Sequence, residues 1–146
     1  MAYFIFLKKA DNLDSSLYKI AENQFDLDNL NIIKLDYEII EDSQENFNAV
    51  KFGTKYPKYN GDVISFNSVQ CSYNKDELKV NVNSYKDLIK QFTNNNPNHP
   101  LLSRWNNYHT QLNSLNFDSI TYPLNKSLEQ YLNDLGQTSL NPLQLP

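Results

Sequence analysis

Apolar and polar positions follow a two-residue period in the first half of this chain and a longer one in the second. Residues 2–8, AYFIFLK, are aromatic and β-branched and read as a strand. DNLDSS supplies turn formers, and LYKIAEN then alternates Leu17, Lys19 and Ala21 against Tyr18 and Ile20. Together they predict an N-terminal β-hairpin, with a helix over 15–24 as the competing reading. FDLDNLN reads as a short helical turn or loop, and IIKLDYEII as a second apolar strand region. EDSQENFNAVKF predicts a short helix: Asp42 or Ser43 as N-cap, Phe47 and Val50 on one face, Gly53 as the stop. In TKYPKYNGDVISF, Asn60-Gly61 predicts a hairpin with a type I′ turn, and Pro57 puts its first arm at a sheet edge.

From residue 74 the apolar residues recur every three to four positions. Leu78, Val82, Tyr85, Leu88/Ile89 and Phe92 form one stripe. Leu102, Trp105, Tyr108, Leu112 and Leu115 form a second, and Leu124, Leu128, Tyr131/Leu132 and Leu135 a third. Three amphipathic helices follow, with Pro97, Pro100 and Pro123 near their starts and Gly136 closing the last. The predicted fold is α+β: a small antiparallel N-terminal sheet with a C-terminal cluster of two to three amphipathic helices. A single domain over 1–146 is expected, mainly β with one short helix to residue 73, helical over 74–136, and extended and hydrophobic over 137–146.

The 146 residues suffice to bury roughly two-thirds of the unfolded surface. A hydrophobic content of 40% argues against global disorder. The net charge of −4, with no run of Lys and Arg, argues against a nucleic-acid partner, which needs a cationic footprint. One cysteine, Cys71, excludes an internal disulfide and suits a reducing compartment. The apolar run AYFIFL is too short for a membrane span and is followed rather than preceded by Lys8 and Lys9, so neither an anchor nor a signal peptide is expected. The 22 Asn, and Lys in large excess over the single Arg104, reflect AT-rich coding and carry no chemistry.

Candidate chemistry is sparse. His99 and His109 lie ten residues apart with no Cys or carboxylate at ligand spacing, so no metal is expected. Cys71 has no basic neighbour to lower its pKa. DLDNLN fails as a calcium loop, with Leu30 at a ligand position, Asn31 in place of the glycine and no glutamate at position twelve. The pairs Glu41-Asp42 and Asp11/Asp14 sit at turn or cap signals. Three glycines in total cannot build a phosphate-cradling loop, so no cofactor is expected, and nothing points to catalysis. What stands out is LLSRWNNYHTQL, where Trp105, Tyr108, Leu112 and Leu115 share one helix face, a core stripe or an interface.

The run Trp105-x-x-Tyr108-x-x-x-Leu112-x-x-Leu115, followed by the proline-containing tail SLNPLQLP, resembles the C-terminal part of the tail fibre assembly chaperones of tailed phages. The likeness covers residues 97–146. It departs in carrying His109 where those proteins tend to have arginine, and in an extra helix over 124–135. The whole chain, from MAYFIFLK to YPLNKSLEQYLNDLG, also resembles small proteins of marine contractile-tailed phages that infect cyanobacteria. The resemblance implies a non-enzymatic virion protein made in the bacterial host cytoplasm: an accessory subunit of the tail, baseplate, fibre-attachment region or capsid surface. Its partners would be other tail, fibre or capsid subunits, with a homo-oligomer left open. The alternative it implies is an assembly chaperone absent from the finished particle. In either case Leu140, Pro142, Leu143 and Leu145 are expected to dock on a neighbouring subunit, with Asn141-Pro142 setting the turn. The competing reading folds this tail back over its own helices.

Overall fold

The structure, a computed structural model, describes residues 1–8 and 13–146, with side chains from residue 18 onward in the latter stretch. It is α+β, as expected. The described residues divide into two compact units: Met1–Val69 together with Leu143–Pro146, and Gln70–Pro142.

The first unit is built on a three-stranded antiparallel sheet of order β2-β1-β3, from β1 (Ala2–Lys8), β2 (Leu13–Ala21) and β3 (Tyr37–Asp42). The N-terminal hairpin is therefore present and the competing helix is not. Of the predicted turn DNLDSS, Asp11 and Asn12 lie outside the described residues, and the other four residues belong to β2 rather than to a turn. Central β1 is apolar on both faces, as suits a strand covered on both sides. Ala2, Phe4, Phe6 and Ile20 pack with Phe47 and Val50 of α2 (Gln44–Lys51) and with Tyr59, Ile64 and Phe66 of a second hairpin. Ile5 and Ala21, on the other face, pack with Leu27 of α1 (Gln24–Asp28) and with Leu30. The strand expected over IIKLDYEII starts only at Tyr37, because Lys34–Asp36 forms a 3-10 turn. Ser43 caps α2 by accepting the Asn46 N–H at 3.1 Å, and Gly53 ends it at φ 72°. Ser43→Ala should cost about 1 kcal/mol, read as a lowered urea midpoint.

The second hairpin pairs β4 (Lys55–Tyr59) with β5 (Ile64–Ser68), and Pro57 sits in this two-stranded edge as expected. Its turn is not type I′. No residue other than glycine has positive φ among those described, so Asn60 is excluded from that geometry. The connection instead spans residues 60–63, and the Asn60 side chain accepts the N–H groups of Asp62 and Val63 at 2.9 and 2.8 Å.

In the second unit, α3 (Lys75–Asn95) opens with a capping box between Asn74 and Glu77 and packs against α4 (Leu102–Asn113). Leu78, Val82, Ile89 and Phe92 of α3 are buried, as are Trp105, Tyr108 and Leu112 of α4; Leu88 is left exposed. The third helix, α5 (Leu128–Asp134), is shorter than the 124–135 stripe suggested. Ser127 caps it by accepting the Gln130 N–H at 3.0 Å. Leu124 is extended just after the cis Tyr122-Pro123 bond, exchanging backbone hydrogen bonds with Tyr73 at 2.8 and 2.9 Å. No helix among the described residues is long and apolar enough to cross a membrane.

Candidate functional site

The most chemically loaded place in the second unit lies around a residue that the apolar stripes did not flag. Glu129, at the second position of α5, is 2% exposed. The positive end of a helix dipole favours a carboxylate there. The Tyr85 hydroxyl of α3 donates to Glu129 Oε1 at 2.5 Å, and the Ser139 hydroxyl donates to the Glu129 backbone carbonyl at 2.8 Å. Burial, then the charge of Glu129 and this hydrogen bond, push the Tyr85 hydroxyl far above the ordinary tyrosine range. Tyr108 is raised by burial and then by Glu129, with the nearby Leu140 N–H opposing. That N–H does not reach hydrogen-bond geometry, so the buried Tyr108 hydroxyl has no partner; the same is true of Trp105 Nε1 and Asn81 Oδ1. Cys71 is half-buried beside Tyr73. Its thiol is raised by burial and by Glu129, with the Tyr73 hydrogen bond opposing.

These groups hold their protons. A thiol raised by burial is a poor nucleophile, and tyrosines held far above neutrality are poor bases at physiological pH. The cluster gathers groups of α3, α4 and α5 around one buried carboxylate. Only the position of Glu129 on the flank of the Leu128/Leu132 stripe could have flagged it in the sequence.

It also predicts an alkaline limit. The folded pKa values of Tyr85 and Tyr108 lie above their unfolded value near 10, so their stabilisation is complete below about pH 10 and is lost as pH rises past it. Lys19, lowered by burial, acts with the opposite sign just below that window. The urea midpoint should therefore drop between pH 9 and 11, and drop less in a Tyr85→Phe/Tyr108→Phe variant. An equal drop in both would remove these tyrosines as the cause.

Both histidines have local roles. His99 Nδ1 accepts the Leu101 N–H at 3.0 Å at the entry to α4, and its ring stands edge-on to Phe92 at 5.0 Å. His109 is half-buried, bonded to the Asn113 amide at 3.2 Å. No grouping of three potential metal ligands occurs among the described residues. Trp105 meets Tyr108 edge-to-face at 6.2 Å, both essentially inaccessible, so these two and Leu112 are core. Leu115 lies beyond the end of α4 and is only half-buried. It lines a cleft of about 250 Å³ with Gln111, Ser114, Tyr131, Leu135 and Gln137.

The tail corrects an expectation. Leu140 and Leu145 are buried, Pro142 and Leu143 are half-buried, and all four are covered by their own chain. Gly136, at φ 72°, ends α5 in a Schellman motif: its N–H bonds to Asn133 and that of Gln137 to Leu132. The Thr138 carbonyl accepts the Gln111 amide at 2.6 Å. Asn141-Pro142 does start a turn, the 3-10 segment Pro142–Gln144. Past it, Leu143 packs against the Phe4/Phe6/Phe47 core, and Lys19 Nζ donates to the Leu145 carbonyl at 2.8 Å. The fold-back reading is the one observed, and its last four residues complete the sheet unit rather than lying over helices.

Comparison with known proteins identifies no matching family model, no matching curated protein and no matching solved structure.

Proposed function

We propose that this chain is a non-enzymatic phage virion protein, an accessory subunit of the tail, baseplate, fibre-attachment region or capsid surface that acts through protein–protein contacts. The likeness of the Trp105–Leu115 run and of the whole chain to phage proteins supports this reading. The observation that carries it furthest concerns exposed apolar residues. Ile33 and Leu35, two residues apart on the approach to β3, are 67% and 86% exposed. Single exposed apolar residues are ordinary, but neighbouring ones mark contact surfaces. With the tail leucines covered, this stretch beside the edge strand β3 is the better docking surface.

The assembly-chaperone alternative draws on the same Trp105-x-x-Tyr108 likeness and differs in one observable. Mass spectrometry of purified particles should find the chain as a resident at fixed stoichiometry. Its absence from particles, with presence in infected-cell lysate, would favour the escort. An Ile33→Asp/Leu35→Asp variant should fold normally and be lost from particles; normal incorporation would rule out this stretch as the contact.

A further inference from the structure

The sequence shows no run of basic residues, but helix geometry gathers some. All four lysines of α3 (Lys75, Lys79, Lys86 and Lys90) fall at spacings of four, seven and four. At 100° and 1.5 Å per residue they occupy an arc of about 60° over roughly 22 Å. This row flanks the buried stripe along the edge of the α3–α4 hairpin. Lys75 is ion-paired with Asp118, and Lys79 stands 5.7 Å over the Phe117 ring. Lys86 and Lys90 have no carboxylate partner among the described residues, and Lys79 has no ion pair there. Burial and then the charges of Lys90 and Lys86 lower the His109 pKa, so both lysines act electrostatically on α4. Of the acidic side chains in the region, Asp118 is taken up by Lys75 and also acts on Lys79; Asp76 and Asp87 lie about 40–60° around α3 from Lys90, and Glu77 is on the far side.

Two observations define what this face suits. First, the lysine arc carries no apolar side chain: Thr93 is half-exposed among the lysines, whereas the exposed Val80 and Leu88 project from another side of the helix. Protein interfaces centre on buried aromatic or apolar anchors, and membrane-surface helices need an apolar face. Lysine and threonine without either are side chains that contact phosphate oxygens. Second, the net negative charge lies elsewhere. The sheet unit carries eleven Asp and Glu against seven Lys, whereas Gln70–Pro142 has six acidic and six basic residues. A polyanion approaching α3 therefore meets a unit of zero formal net charge with an unpaired cationic edge.

We propose that the α3 row formed by Lys79, Lys86 and Lys90 binds the phosphate backbone of a nucleic acid without reading its sequence. The surface is independent of the apolar stretch assigned to subunit contact. Three lysines release about three counterions, so binding is weak and steeply salt-dependent, with a slope of log affinity against log salt near −2.7 on duplex.

The test is fluorescence anisotropy of a labelled 20-base-pair duplex and a 20-nucleotide single strand, titrated with the full chain at 50, 100 and 200 mM NaCl. The expected result is binding in the 1–100 micromolar range at 50 mM, on the order of non-specific affinities. A Lys79→Gln/Lys86→Gln/Lys90→Gln variant with unchanged circular dichroism should lose at least tenfold, while Lys55→Gln/Lys58→Gln on β4 should bind as before. Should the triple variant misfold, Lys90→Gln alone is expected to make the salt slope shallower by about one. No binding by the wild type at 50 mM, or equal binding by the lysine variants, overturns the proposal. So does tighter capture of polyglutamate, or of phosphatidylserine vesicles, at matched charge.

Discussion

Trp105→Ala should destabilise the helical unit by about 3–5 kcal/mol, the cost of emptying a fully buried aromatic site. The indole is inaccessible, sits edge-on to Tyr108 and lies on the α4 face that packs against α3. Truncation removes those contacts and leaves a void that α3 and α4 can close only in part. One feature moderates the cost: Trp105 Nε1 is buried without a hydrogen-bond partner, and removing an unsatisfied donor relieves a penalty of about 1–3 kcal/mol. Trp105→Phe keeps much of the ring volume and also removes that donor, so it should cost clearly less than alanine. Thermal melts followed by circular dichroism separate the cases. Equal melting of the alanine variant and the wild type would mean that the ring is not core, and equal loss in the two variants would discount the orphan N–H.

Removing residues 143–146 should destabilise the sheet unit by about 2–4 kcal/mol. A fully buried leucine contributes about 1.5–3 kcal/mol, less for half-buried Leu143, and the freed segment regains conformational entropy. Leu143 touches the cluster that contains Phe4, Phe6, Ile20, Phe47, Val50 and Tyr59, and Lys19 would lose the carbonyl that accepts its ammonium. That ammonium is already desolvated enough to lower its pKa. Leaving it without an acceptor adds to the loss unless water reaches it. The truncated chain should show a lower urea midpoint and bind a hydrophobic dye. An unchanged midpoint would mean that these leucines are available for a neighbouring subunit after all.

Local chemistry was legible where one residue decides one feature. Ser43 and Gly53 bracket α2, and the alternation after Leu17 pointed to the β2 strand ahead of the competing helix. Asn60-Gly61 misled because the amide side chain bonds forward to two N–H groups and widens the loop, a competitor to the type I′ turn that the dipeptide alone does not reveal. Leu124 misled because apolar spacing cannot distinguish the last extended residue before a cap from the first helical one; Ser127 decides it. Glu129 was invisible as a buried group because its partners Tyr85 and Ser139 come from other segments. The lysine row was present in the spacing but hidden from any count of neighbouring charges. The tail was the furthest from legible, since three leucines and two prolines say that a segment is sticky without saying to what.

The path of the chain has a consequence for synthesis. It leaves the sheet unit after Val69, builds 73 residues of helical unit, and returns at Leu143. At synthesis rates of roughly 5–20 residues per second, the ribosome takes roughly 4–15 s to cross that interval. During that time the helical unit emerges with all of its own sequence, whereas the older sheet waits with the Leu143 and Leu145 positions of its core uncovered. A nascent chain released early at any point before residue 143 is thus marked at its beginning, through exposed apolar surface, for the proteases and chaperones that read it.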